Sequence, residues 1–518
     1  MNRLNFLFLT MLLIACSALS AQKPAKGNYD LKFKVKGYTY PHALIAYYFG
    51  DKQYVIDTVN LGTDGYYNLK GDSLMRGGIY LFAMVKEKRD PKTPQKLGFE
   101  ALNYFEFLLD PKDNQQFTLE TDSADLVKKM KVKGSKQNEI FYKDIVFISE
   151  QRAKAEALQP LIKETEGKPE ERKVLEAKMK VLDTEVKAAR KKIMDENPTM
   201  LYTAILKATT EVEIPEQPKE DTTKTFQYRF FKKHYFDNID LADDRLLRTP
   251  IFESKIIYYL DKMVIQAPDS LVKECRMLFD ASKSSKEVFK YMIVTLLNKY
   301  ANSKIMGHDG VYAYIATTYY CSPGGNIKPV AITWTDSAQC AKICERGQKI
   351  SGILIGNPAP PVTIQALNEK WESLYDIKAD YTILYIWDYD CGHCKKVTPK
   401  VVQVAKAYAD AKKKVQFYTI ESNGTREIWK EKVKEYGLDL PNIINTADPT
   451  RASGFDKKYD ILSTPRILIL DKDKKIVAKH ISAKQLDELL NRFINDKEGP
   501  IVIKEDDDEH KEDEEKHE

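Results

Sequence analysis

Two cysteines three positions apart, in Cys391-Gly392-His393-Cys394, are the residues of this chain best suited to chemistry. Three uses fit such a pair. A thiolate can attack a disulfide sulfur, and a second thiol close by can resolve the mixed product. A pair can supply half of a tetrahedral zinc site, which takes four ligands. Two thiols can also pack as small apolar side chains. Zinc would need a further pair, and Cys340 with Cys344 falls in a stretch that reads as helix.

The elements that must position the pair favour the redox use. "YTILYIWDY", which contains Trp387, is an apolar, β-branched and aromatic run, as a strand buried on both faces requires. Downstream, Val397, Val401, Val404, Ala405 and Tyr408 recur at helical spacing. The pair therefore sits where a strand hands over to a helix. Free N–H groups and a partial positive charge at a helix start favour an anion, so a thiol there loses its proton more easily. This reading makes Cys391 the attacking thiol and Cys394, one turn in, the shielded resolving thiol. Asp390 beside Cys391 opposes the thiolate when ionised. Pro399 lies inside the helix, where its missing N–H predicts a kink. Thr464-Pro465, at the entrance of a later strand, is a candidate cis bond.

The whole chain has 518 residues, enough for roughly three domains. Its 81 basic and 76 acidic residues nearly balance, and no basic patch is interleaved with aromatics, so no nucleic-acid partner is expected. Residues 1–21 read as a secretory signal, with Arg3 before an apolar core too short to span a bilayer. Two processings compete. Either the chain is cut after Leu19-Ser20-Ala21, or Leu13-Ile14-Ala15-Cys16 is a lipobox and Cys16 carries a lipid anchor. Both place the protein in the periplasm or cell envelope, where disulfides persist. Of the other cysteines, Cys321 is expected to bridge Cys340 or Cys344, and Cys275 to be a buried hydrophobe.

Residues 29–125 alternate with period two. Leu31, Phe33 and Val35 interleave with lysines, and Asp64-Gly65 supplies a hairpin signal, predicting an antiparallel β-sandwich-like domain. His42 there reads as a structural or surface residue. Residues 126–351 turn helical, with a helix pair broken at Gly167 and Pro169 and an aromatic group at Phe226, Phe230, Phe231, Tyr235 and Phe236 expected to pack as core. Residues 356–497 form an α/β unit entered through Pro358, Pro360 and Pro361. The acidic tail 500–518, with His510 and His517, cannot bury a core.

The β-rich segment ending in "VKGSKQNEIF" resembles a domain of unknown function found ahead of thioredoxin-like domains in Bacteroidetes. "HYFDNIDLADDRLLRTPIF" and "GHDGVYAYIATTYY" resemble a helical domain of unknown function that often follows it. The strand with Trp387, the Cys391-to-Cys394 motif, Pro399 and Thr464-Pro465 together resemble the TlpA/ResA-like branch of exported thioredoxins. That resemblance implies a C-terminal thioredoxin-like α/β fold, with Cys391 attacking, Cys394 resolving and Pro465 shaping a groove for an extended substrate strand. It implies protein thiol and disulfide substrates, a membrane electron donor, and no organic cofactor or metal. Two positions depart from the pattern. Tyr385 stands where thioredoxin has a buried aspartate, and Val397 where the ResA type has a glutamate.

The dipeptide resembles that of protein disulfide isomerase. An imidazole such as His393 stabilises a neighbouring thiolate and makes the disulfide more oxidising, on a scale where isomerase stands about 90 mV above thioredoxin, ~4 kcal/mol. His393 therefore points towards oxidation or isomerisation, and the family resemblance towards reduction. The expected function is exported thiol–disulfide exchange. The alternative is an envelope binding protein whose first two domains hold a partner.

Overall fold

The computed structural model describes residues 26–89, 97–321 and 334–495. The signal segment 1–21 with Cys16, and the acidic tail 500–518 with His510 and His517, lie outside the described residues. The chain divides into two compact units. One comprises Met1–Val264 and Arg276–Met292, the other Ile265–Cys275 and Ile293–Glu518.

In the first unit, strands β1 (Lys26–Lys36), β2 (His42–Phe49), β3 (Lys52–Asn60), β4 (Tyr67–Ser73), β5 (Gly78–Arg89), β6 (Leu97–Leu109), β7 (Gln116–Asp122) and β8 (Lys131–Lys133) form two four-stranded sheets. Their orders are β4-β1-β7-β8 and β3-β2-β5-β6. The period-two pattern turns Leu31, Phe33 and Val35 into a shared core with Phe82, Phe105 and Phe107. Phe33 and Phe82 meet at 5.0 Å between ring centres. Within the two sheets β1 and β7 pair in parallel and the other pairs are antiparallel. His42 bonds Asn60 at 2.6 Å and pairs with Glu87 at 3.0 Å, a surface clasp as expected.

Helices α1 (Lys136–Glu164) and α2 (Pro169–Glu196) form the expected hairpin. Ser135 caps α1 by accepting from the Asn138 amide, and Gly167 turns the chain at φ +86° ahead of Pro169. Helices α3 (Leu201–Thr209), α4 (Phe226–His234), α5 (Pro250–Tyr258), α6 (Pro268–Ser282) and α7 (Lys286–Ala301) follow. The aromatic group is less buried than its spacing suggested. Tyr235 is buried, while Phe226, Phe230, Phe231 and Phe236 are only half-buried. Spacing of four residues instead builds a ladder along α4, Phe226 to Phe230 at 5.9 Å and Phe230 to His234 at 4.3 Å.

In the second unit, a Cys321–Cys344 disulfide ties the chain just after α8 (Asp309–Tyr319) to α9 (Ser337–Gly352). Cys340 remains a buried thiol and donates to the Tyr320 carbonyl at 3.3 Å. Cys275 is fully buried, and burial pushes its thiol up to about 12. A short hairpin, β9 (Thr363–Gln365) and β10 (Trp371–Ser373), leads into β11 (Tyr381–Trp387), α10 (Gly392–Asp410), β12 (Val415–Glu421), α11 (Arg426–Glu435), β13 (Ile443–Ala447), α12 (Phe455–Lys458), β14 (Arg466–Asp471), β15 (Ile476–Lys479) and α13 (Ala483–Asn495). The sheet order is β13-β12-β11-β14-β15, with β11 parallel to β12 and antiparallel to β14.

The central place of β11 explains its unbroken apolar sequence. Ile383, Tyr385 and Trp387 face a core shared with α10, α11 and α13, and Leu384 and Ile386 face the opposite core with Val362, Phe455 and Tyr459. Among the described residues no helix is long and apolar enough to cross a membrane.

Candidate active site

Strand β11 ends at Trp387, and Asp388, Tyr389 and Asp390 carry the chain to Cys391, the N-cap of α10. A β-region backbone at Cys391 (φ −70°, ψ 117°) aims its sulfur back over the helix start, where it accepts from the Cys394 amide at 3.3 Å. The same sulfur lies 3.4 Å from the Thr464 carbonyl oxygen. Thr464-Pro465 is a cis peptide bond, as expected. The fold thus brings residues 73 positions apart to one point.

The two thiols differ in environment. Cys391 is half-buried and Cys394 is 1% exposed. Burial alone would raise the Cys391 thiol. The Cys394 amide and thiol, the Thr464 side chain and the His393 amide outweigh it, and the thiol settles below its ordinary value. At Cys394 burial dominates and pushes the thiol up to about 12, despite help from the Asp388 backbone and the Thr464 side chain. One sulfur is thus set up to ionise at the rim while the other is held as a buried thiol.

The supporting residues divide. The His393 side chain is exposed, and its backbone amide helps to lower the Cys391 thiol. Gly392 is exposed with open space where a side chain would go, so packing does not demand glycine there. Trp387 is fully buried and meets Tyr436 edge-on at 5.8 Å. Pro399 lies within α10 and cannot donate to the carbonyl four residues back. Asp390 is exposed, and Lys395 stands 3.8 Å from its carboxylate.

Tyr385, where the resemblance would place an aspartate, is fully buried. Its hydroxyl shares a 2.7 Å hydrogen bond with Thr398, whose hydroxyl donates to the Cys394 carbonyl at 2.7 Å. Burial first, with both cysteines adding to it, holds the phenol far above its ordinary value. Val397 is buried apolar packing.

Sequence reasoning missed Glu421, the last residue of β12, opposite Trp387 in the ladder. This carboxylate is fully buried and accepts from the amides of Gly424 (2.8 Å), Asn423 (3.0 Å) and Tyr389 (3.5 Å). It ties the loop that leads into Cys391 to the loop after β12. Burial raises its pKa, and the three amides only partly offset that. A charge at the end of the apolar run "VQFYTIE" was the available signal.

Residues 379–476 match the family described as thioredoxin-like. The chain carries a thioredoxin-like domain. Ahead of that thioredoxin-like domain, residues 29–141 and 169–349 match two domains of unknown function, DUF4369 and DUF5106. Over 140 residues the chain is 26% identical to the thiol-disulfide oxidoreductase ResA of Bacillus thuringiensis, covering 27% of this chain and 76% of that protein. It is 25% identical to the thioredoxin-like protein YneN of Bacillus subtilis over 134 residues, 26% of this chain and 75% of that one. Among solved structures, a thioredoxin-like protein from Bacteroides caccae aligns with TM-score 0.43 and 21% identity, over 54% of this chain and 98% of that one. A domain of a possible thiol-disulfide isomerase from Cytophaga hutchinsonii aligns with TM-score 0.25 and 33% identity, over 27% and 92%.

Proposed function

We propose that this protein is an exported thiol–disulfide oxidoreductase that exchanges disulfides with protein substrates through Cys391 and Cys394. The observation that carries the reading is the asymmetry of the pair. The Cys391 thiol lies below its ordinary value at the rim, and the Cys394 thiol is buried and pushed up to about 12.

In the reducing direction the Cys391 thiolate attacks one sulfur of a substrate disulfide. The first substrate sulfur leaves as a thiolate and Cys391 holds the second in a mixed disulfide. Cys394 then attacks the Cys391 sulfur, the second substrate thiolate leaves, and the Cys394 proton goes to a released thiolate. Two electrons pass to the substrate and Cys391–Cys394 becomes a disulfide, which a thiol donor at the membrane resets. In the oxidising direction a substrate thiolate attacks Cys391 of that disulfide. A groove beside Thr464 and Pro465 takes the substrate strand in extended form.

The N-terminal segment supports export, by cleavage after residue 21 or by lipidation of Cys16. No organic cofactor or metal enters the cycle. The test is insulin reduction by the full chain, with partner trapping by Cys394→Ala. Turnover and a mixed disulfide on Cys391 are expected. Absence of both would leave the envelope binding reading, in which the first two domains act and the dithiol is ancillary. Equilibration with glutathione buffers fixes the direction. A potential near that of isomerase, about −180 mV, supports oxidation or isomerisation, and one near that of thioredoxin, about −270 mV, supports reduction.

A further inference from the structure

The loop that meets Cys391 is held from outside the thioredoxin-like match. Asp460 lies four residues before Thr464 and has a left-handed backbone, φ +49°, uncommon for a non-glycine residue though more accessible to aspartate than to most. Its carboxylate is 11% exposed and pairs with the Arg346 guanidinium of α9 at 3.1 Å. Arg346 in turn lies over the Tyr312 ring of α8, 5.1 Å from its centre. Helix α9 cannot drift from α8. The Cys321–Cys344 disulfide joins them, and at Gly347, next to Arg346, an added Cβ would stand 2.6 Å from the Ala316 Cβ. A second anchor lies at the end of β15, where Lys479 is 1% exposed, pairs with Asp309 of α8 and donates to the Ile353 carbonyl at 2.7 Å. From Asp460 the chain runs through Ser463, which accepts from Arg466 at 2.8 Å, to the Thr464 carbonyl at the Cys391 sulfur.

We propose that Arg346 is a positioning residue of the redox site. Through Asp460 it sets the loop Ser463-Thr464-Pro465 against Cys391, so that the α8–α9 helices shape the groove for polypeptide substrates. The inference rests on the oxidoreductase reading for its consequence in turnover, and on geometry alone for the loop.

The test uses the full chain with Arg346→Met, Asp460→Asn, the conservative Arg346→Lys, and the swap Arg346→Asp with Asp460→Arg. Insulin reduction gives KM and kcat, and hydrogen exchange reads the amides of residues 460–464 and of Arg466. The two charge-removing variants are expected to raise KM about 2- to 10-fold, the lower part of the range for coupled neighbours in one ion-pair network, with kcat changed less. They should also speed exchange at Ser463 and Thr464. Lysine should restore part of the effect and the swap more. Unchanged KM and unchanged exchange, or a lower Tm with neither moved, would overturn the proposal. If the unsubstituted protein neither reduces insulin nor traps a partner on Cys391, the oxidoreductase reading falls, and exchange at 463–464 alone decides whether Arg346 holds the loop.

Discussion

Tyr385 and Thr398 share a buried hydrogen bond of 2.7 Å, and Thr398 donates onward to the carbonyl of Cys394. A pair of neutral hydroxyls thus stands under Cys394, where the thioredoxin resemblance would place an ionisable acceptor. A phenol held far above its ordinary value stays protonated throughout the working range. Tyr385→Phe should therefore leave the shape of the pH–rate profile between about pH 6 and 9 unchanged and cost ~1 kcal/mol in denaturant unfolding for the lost hydrogen bond. A displaced profile would mean that the phenol exchanges protons in the cycle. Tyr385→Asp should speed resolution of the mixed disulfide, measured by single-turnover quench, while destabilising the core in which Tyr385 is fully buried.

Iodoacetamide should modify Cys391 with a midpoint below that of an ordinary thiol and spare Cys394. Cys394→Ala removes a thiol that helps to lower Cys391, so the midpoint should rise in that variant. Mass spectrometry of reduced protein across pH reads both.

The same shifts set the stability of the reduced form. Cys391 is lowered on folding, so its contribution is present above the unfolded value and lost as pH falls through the folded value. Cys394 is raised, so its contribution is lost as pH climbs from about 8.5 towards about 12. Urea titrations of reduced protein should show stability rising through the first window and falling through the second. A flat profile would contradict both assignments.

Thr464→Val removes a side-chain hydrogen bond that lowers both thiols. Losing ~1.4 kcal/mol of thiolate stabilisation corresponds to about 30 mV, so the couple should become more reducing by roughly that much in glutathione equilibration. An unchanged or more oxidising potential would show that Thr464 acts only through its carbonyl.

Burial holds the Glu421 carboxyl above its ordinary value, so the fold keeps a proton that the unfolded chain has already released. Stability should fall as pH rises from about 4.3 to the folded value, and Glu421→Gln should flatten that dependence. Glu421→Ala strands three amides and should cost ~2–4 kcal/mol, read as a lower urea midpoint. Slower alkylation of Cys391 in the same variant would follow from a loosened Tyr389 loop.

The dithiol and its immediate frame were legible because they are local. An apolar run, a helical period and two cysteines at the join place one sulfur at a helix start whatever else the chain does. Local pattern also separated the β-rich part from the helical part and placed the break at Gly167 and Pro169. Cys321 was recognised as a bridging residue, yet Cys340 and Cys344 share one face of α9, and only the packing of α8 against α9 selects Cys344. His393 was read through its imidazole, and the structure adds its backbone amide, which also helps to lower the Cys391 thiol.

By itself the sequence determined the chemistry available at Cys391 and Cys394, because helix starts and buried strands follow from residue types a few positions apart. Only the tertiary structure decided what surrounds that chemistry. The Thr464 carbonyl at the sulfur, the Glu421 carboxylate under the loop, the Tyr385–Thr398 pair and the Arg346–Asp460 tie all join distinct elements of the fold, up to 114 positions apart. Their energies depend on burial and on distance in space, and neither is written in the order of the residues.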